Sequence, residues 1–179
     1  MAKVNKGEKA LDFTFDTLYE QGLKLSDVVK NADKTVIHFL RYYGCTVCQL
    51  DLKDYAKKID LIKDKNAQLY CVLQSKPETV KASMGDTTFP YDIICDPDQK
   101  IYKLYDIGSW ESVDQIRNEK LAAKGARCQE EGLTHGEYEG NEEQLPAMFI
   151  MDKDMNLEYV LYSQDLTSIP SVEEVAEML

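Results

Sequence analysis

The sequence predicts an α/β fold, a central mixed β-sheet with helices on both faces, in one domain over residues 1–179. Three observations carry that expectation. Short apolar or alternating runs interleave with helix-period segments through about Tyr105, the signature of strands joined by crossover helices. Two further runs, Ala147 to Met151 and Leu157 to Tyr162, flank the turn Asp152-Lys153-Asp154 and read as an antiparallel hairpin. Residues 108–145 between these halves follow neither pattern and read as an insert. The order is then β-β-α-β-α-β-α-β-α, insert, β-β-α, with no internal repeat.

Residues 11–18 alternate apolar and polar, as a half-buried strand does. Glu20-Gln21-Gly22 turns the chain, and Leu23-Lys24-Leu25 pairs back as a short strand. Ser26-Asp27 is placed to cap a short helix through Val28-Val29. Thr35 to Leu40 is β-branched and apolar, hence a buried strand.

The motif Cys45-Thr46-Val47-Cys48 follows directly. Beyond it, Cys48, Leu52, Tyr55, Ile59 and Ile62 recur at helical spacing, opposite a face with Asp51, Lys53, Asp54, Lys57 and Lys58. A helix that opens on Cys-x-x-Cys brings unpaired N–H groups and partial positive charge to a sulfur. That favours the thiolate, the reactive form, so the motif points to thiol–disulfide chemistry.

Leu69 to Leu73 is the next strand, and Pro77 opens a short helix, where its missing N–H costs nothing. Phe89 to Cys95 reads as extended, Asp96-Pro97-Asp98 as a turn, and a helix starts over Ile101 to Tyr105. The insert carries Trp110, a charged helical stretch from Glu111 to Lys124, and then Gly125, Gly132, Gly136 and Gly140 in a long irregular loop. A connection of that length in a compact domain is uncommon and often functional. After the hairpin, Pro170 opens a terminal helix with Val172, Val175, Ala176 and Leu179 on one face.

Composition bounds the function. With 44% hydrophobic and 30% charged residues the chain has the balance of a soluble globular domain. A net charge of -11 argues against nucleic acid and against an anionic membrane surface. No stretch approaches a membrane span, and the N-terminal residues Met1 to Glu8 lack the apolar core of a signal peptide, so a cytoplasmic location is expected. Five cysteines are an odd number, which disfavours a complete disulfide framework. Cys71, Cys95, Cys128, His38 and His135 supply no second close pair beside Cys45 and Cys48, so neither a metal nor a cofactor is expected.

The element order, with Cys-x-x-Cys after the first buried strand and a proline before the final hairpin, resembles the thioredoxin fold. Gly7 to Thr14, Phe89 to Asp98 and Leu145 to Asp152 resemble the peroxiredoxin-like branch, the AhpC/TSA family, and Leu40 to Cys48 looks like the active-site loop of redoxin-domain proteins. The likeness covers nearly the whole chain apart from the insert. Two departures stand out. The peroxiredoxin pattern is Pro-x-x-x-Thr/Ser-x-x-Cys; with Cys48 at its cysteine, Arg41 replaces the proline and Cys45 the threonine. The thioredoxin pattern Trp-Cys-Gly-Pro-Cys is replaced by Gly44 before the pair and Thr46-Val47 within it.

The resemblance implies a thiol–disulfide oxidoreductase with a reversible Cys45–Cys48 dithiol. Likeness to thioredoxin makes Cys45, first at the helix N-terminus where exposure and dipole are greatest, the nucleophile and Cys48 the resolving thiol; likeness to peroxiredoxins reverses the two. The alternatives are a peroxidase and a non-catalytic redox sensor whose acidic insert answers oxidation. The resemblance also implies that Pro146 forms a cis bond facing the pair and that Leu145 offers backbone hydrogen bonds to a bound chain. Arg41 is placed to support a thiolate, and Tyr43, with Tyr42, to line a substrate groove. His38 reads as a satisfied core residue, His135 as able to approach the site, and Cys128 as a spectator or a second resolving thiol. The implied partners are a thiol/disulfide protein or a small peroxide, and an external thiol reductant such as a thioredoxin system; a homodimer is allowed.

Overall fold

The computed structural model describes residues 3–179; Met1 and Ala2, which begin the N-terminal stretch read above, lie outside the described residues. The strands are β1 (Thr14–Thr17), β2 (Leu23–Lys24), β3 (Lys34–Phe39), β4 (Ala67–Leu73), β5 (Asp92–Cys95), β6 (Ala147–Asp152) and β7 (Leu157–Tyr162). They form one sheet in the order β2-β1-β5-β4-β3-β6-β7. β3 lies parallel to β4, and β4 to β5, while β6 runs antiparallel to β3 and to β7. The mixed sheet expected from the element order is therefore present, and β6–β7 is the expected hairpin.

The central strands are buried on both faces. Val36 and Leu40 point into one apolar layer, Ile37 and Phe39 into the other. Strict alternation of this kind is what the two-residue period of a strand dictates. Each such side chain removed from water contributes about 1.5–3 kcal/mol, so β3 is the best anchored strand from which to hang a reactive loop.

The helices are α1 (Leu25–Val28), α2 (Thr46–Lys58), α3 (Asp60–Lys63), α4 (Pro77–Met84), α5 (Lys100–Leu104), α6 (Val113–Ile116), α7 (Glu119–Glu130) and α8 (Val172–Met178). Cys48, Leu52 and Tyr55 of α2 are buried with Ile59 and Ile62, so the apolar stripe faces the sheet as its spacing requires. The Asp96 carboxylate accepts from the backbone N–H groups of Lys100, Ile101 and Tyr102, which is why the Asp-Pro-Asp turn starts α5.

Several boundaries differ from the sequence reading. The first short helix is capped at Lys24, with Ser26 and Asp27 inside its first turn and no side-chain cap. Strand β5 begins only at Asp92, because Phe89 and Tyr91 pack as aromatic neighbours on the apolar layer beneath α2. The single helix expected over Glu111 to Lys124 is two. Asn118 turns extended and its side chain caps Leu121 N–H, so α7 starts at Glu119 and runs to Glu130 through Gly125. The terminal helix is opened by a Ser171–Glu174 capping box, with Pro170 just outside it.

No cis peptide bond occurs among the described residues, so the Leu145–Pro146 bond is trans, against expectation. Trans is the lower-energy isomer of a tertiary amide, and the surroundings fit it. Leu145 N–H donates to Gly108 O, and Pro146 O accepts from Ser163 N–H, which carries the chain straight into β6. No helix among the described residues is long and apolar enough to cross a membrane.

Candidate active site

The loop between β3 and α2 hangs from the end of the central strand. Cys45 is the N-cap of α2 in extended conformation, and its sulfur accepts from Cys48 N–H at 3.4 Å. Thirteen residues of helix follow it, so the dipole and free N–H groups of a long helix act on this sulfur. Arg41 reaches back over the pair. Its Nη2 donates to Cys45 Sγ at 2.8 Å, and its backbone N–H donates to Cys48 Sγ at 3.5 Å.

The two thiols are therefore unequal. The hydrogen bond from the Cys48 thiol is the largest influence on Cys45; burial opposes it, the Arg41 charge reinforces it, and the result is a pKa lowered to about 6. Cys48 keeps its proton, since burial and its bond to Cys45 push its pKa well above the ordinary range. Burial alone would weaken the Arg41 cation, but the neighbouring sulfurs overcome it and raise its pKa. Both cysteines are free thiols in this structure.

Cys45 is not the exposed residue that its position at a helix start implied: it is 1% exposed. The insert covers it. Gly136 N–H donates to Gly44 O, and a Cβ on Gly44 would stand 2.1 Å from Glu137 O, so only glycine lets the two backbones meet. Gln49 reaches Thr134 O. Gln74, buried at the end of β4, accepts from Asn141 N–H and donates to Asn141 O. Helix α7 is fastened across α2 by Lys124 to Asp51 at 2.6 Å and by a two-bonded Arg127–Asp54 pair.

Of the residues singled out from sequence, Arg41, Cys45 and Cys48 come together. His135 does approach: its Nε2 lies 3.1 Å from the Tyr42 hydroxyl, and its ring stacks on Tyr138 at 4.2 Å. Cys128 lies on α7, buried, with its thiol donating to Thr46 O at 3.4 Å beside the pair. Tyr43 packs against the apolar layer that also holds the pair. Its N–H donates to Ser75 Oγ, and its ring packs with Phe89 in a groove of about 490 Å³ that also includes Met84 and Leu133.

Leu145 donates its N–H to Gly108 O, and its carbonyl accepts from the Gln144 side chain. With Pro146 it borders a separate hollow with Gly108, Gln115 and Tyr162. His38 is buried but not satisfied: among the described residues neither ring nitrogen has a partner, nor has the Tyr55 hydroxyl beside it. Among the described residues no three His, Cys, Asp or Glu side chains gather as a metal site.

Sequence reasoning missed Trp110, Gln74 and the carbonyl of Glu142. Arg41 Nη1 donates to Glu142 O at 2.8 Å, and the guanidinium lies over the Trp110 ring. A single tryptophan in a glycine-containing insert was the available signal for the first of these.

A mixed sheet in this order, with paired cysteines at the start of the helix after its central strand, defines a thioredoxin-fold protein. The model of the AhpC/TSA family matches residues 6–160. The chain belongs to that family and is an oxidoreductase. Its structure is similar to that of the reduced 2-Cys peroxiredoxin of Plasmodium vivax, with a TM-score of 0.67 and 14% identity over 97% of this chain and 93% of that one. It is also similar to a yeast mitochondrial 1-Cys peroxiredoxin whose thiol is resolved via glutathione/thioredoxin systems, with a TM-score of 0.61 and 15% identity over 89% of this chain and 68% of the other. At such identities the likeness is one of fold. No curated protein sequence matches the chain.

Proposed function

We propose that the protein reduces small hydroperoxides with the Cys45–Cys48 dithiol, Cys45 attacking first. The observation that carries this reading is the pairing of a buried Cys45 sulfur with the Arg41 guanidinium at 2.8 Å. A thiolate stabilised by a cation is the nucleophile such chemistry needs. A cysteine 1% exposed beneath a backbone cover favours a substrate of a few atoms over a folded protein.

The Cys45 thiolate attacks the terminal peroxide oxygen, the O–O bond breaks, and an alcohol or water leaves once protonated. Cys45 becomes a sulfenic acid. The Cys48 thiol displaces hydroxide from that sulfur, forming the Cys45–Cys48 disulfide and releasing water. An external dithiol of the thioredoxin class, or glutathione, then reduces the bridge by exchange. The raised pKa of Cys48 suits a second step in which Cys48 loses its proton as the bond forms.

A second reading, disulfide exchange with a protein or thiol substrate, is favoured by the Cys-x-x-Cys spacing itself. It uses the same two sulfurs in the same order but needs residues 132–144 to move off Cys45. Rapid mixing of reduced protein with hydrogen peroxide, with products mapped by mass spectrometry, decides between them. Fast oxidation ending in a Cys45–Cys48 bridge supports the peroxidase. Oxidation no faster than that of a free small thiol leaves exchange.

A further inference from the structure

The Arg41 side chain ends at Cys45, and its own loop supplies only half of what holds it there. The guanidinium is held from four sides. Nη2 donates to Cys45 Sγ and Nη1 to Glu142 O, both at 2.8 Å, and the group lies 5.7 Å from the Tyr42 ring centroid and 5.3 Å from that of Trp110. Two of the four, Glu142 O and Trp110, belong to the insert, on opposite ends of its cover.

Those two ends are tied to each other. Trp110 N–H donates to Glu143 O at 2.9 Å, Ser109 bridges Gln144, and Asn141 Nδ2 donates to Ser109 Oγ at 2.7 Å. The Gln144 side chain donates in turn to Ile107 O and Gly108 O. The backbone that carries the indole and the backbone that carries the carbonyl are thus tied together.

An arginine at a strand end has many rotamers and loses that freedom when it is fixed. A guanidinium lying over two aromatic rings, with one N–H edge on a carbonyl, has its remaining edge aimed. We infer that Trp110 and the Glu142 main chain are positioning elements for the redox reaction, aiming Arg41 at the Cys45 sulfur, so that the insert completes the active site as well as covering it. This rests on the reading of Cys45 as the nucleophile.

The test replaces the π face while keeping apolar bulk. Trp110→Leu and Trp110→Phe are compared with the parent protein, each checked for its fold by circular dichroism. Cys45 ionisation is followed by thiolate ultraviolet absorbance against pH, with Cys45→Ser as the blank. Oxidation by hydrogen peroxide is timed at pH 6 and at pH 9.

The expected result is that Trp110→Leu moves the Cys45 titration upward by about one pH unit, a tenfold smaller thiolate fraction at low pH. Its oxidation slows about fivefold at pH 6, where the parent is already only half ionised, and recovers at pH 9, and Trp110→Phe restores most of the parent behaviour. A general loss of structure would slow both pH values alike and would not be rescued by phenylalanine. Folded Trp110→Leu with an unchanged Cys45 titration overturns the inference. If instead the titration shifts as expected while no variant, nor the parent, reacts with peroxide, the positioning role stands and the peroxidase reading fails.

Discussion

Arg41 Nη2 lies 2.8 Å from Cys45 Sγ, while Cys48 Sγ meets only the backbone N–H of the same arginine. The hydrogen bond from the Cys48 thiol and, behind it, this cation separate two thiols that sit a single helical turn apart. The cation serves the first sulfur and the proton stays on the second.

The pH dependence follows. Cys45 ionises near pH 6, so its reaction with a small electrophile falls about tenfold per pH unit below that value and is flat above it. Because the folded thiol is more acidic than an unfolded one, its ionisation also stabilises the fold. That contribution is full above about pH 8.5 and is lost as pH falls through about 6. Arg41→Met removes the charge and is expected to raise the Cys45 titration by about 1–3 pH units. The thiolate absorbance of the two proteins, recorded across the range, checks this; coincident curves exclude a role for Arg41.

The division of labour between the cysteines predicts different failures. Cys45→Ser abolishes peroxide consumption. Cys48→Ser leaves the first step intact, so the protein consumes peroxide in a single turnover and accumulates a sulfenic acid that dimedone traps at Cys45. Trapping at Cys48 in the Cys45→Ser protein, with peroxide still consumed, reverses the order of attack.

The pair, the helix behind it and the arginine four residues ahead were legible because each is local: spacing alone puts Cys48, Leu52 and Tyr55 on one stripe and Cys45 at its start. The sheet was legible for the same reason, strand by strand. What escaped depends on contacts distant in sequence. Arg41 meets Glu142 O across 101 residues and Gln74 meets Asn141 across 67. No periodicity in the insert announces that its loop folds back on Gly44, so Cys45 read as exposed. The break at Asn118 was hidden because a cap inside a charged stretch looks like one more polar residue. Tyr43 read as a groove residue, and its ring lines a groove with Phe89, a neighbour 46 positions on that no local pattern indicates.

The meeting of Gly44 with Glu137 O makes the cover sensitive to one methyl group. Gly44→Ala places a Cβ where the backbone oxygen now stands, and neither backbone yields without cost. The expected loss is about 1–3 kcal/mol of stability, with the loop displaced from Cys45. Denaturant unfolding reads the first effect, and the rate of Cys45 alkylation by iodoacetamide reads the second. A variant that is as stable as the parent and alkylated no faster would show that the cover is not held at this point.

His38 predicts how the protein fails in acid. It lies on β3, 1% exposed, facing the layer beneath α2, where Tyr55 packs edge-on at 5.6 Å and the Lys124–Asp51 pair lines the same cavity. Burial, helped by the Lys124 charge, lowers its pKa from 6.5 to about 3. The unfolded chain therefore binds a proton that the folded one refuses between those values. Stability is unaffected by His38 above pH 6.5 and declines as pH falls toward 3, by on the order of 5 kcal/mol in all at about 1.36 kcal/mol per pH unit. His38→Phe removes this loss and also removes two buried nitrogens that no protein group satisfies. The variant is expected to match the parent within about 1 kcal/mol at pH 7 and to exceed it increasingly below pH 6. Denaturant midpoints at pH 7, 5.5 and 4 measure the difference; parallel declines for both proteins would mean that His38 is protonated in the fold and that another group sets the acid limit.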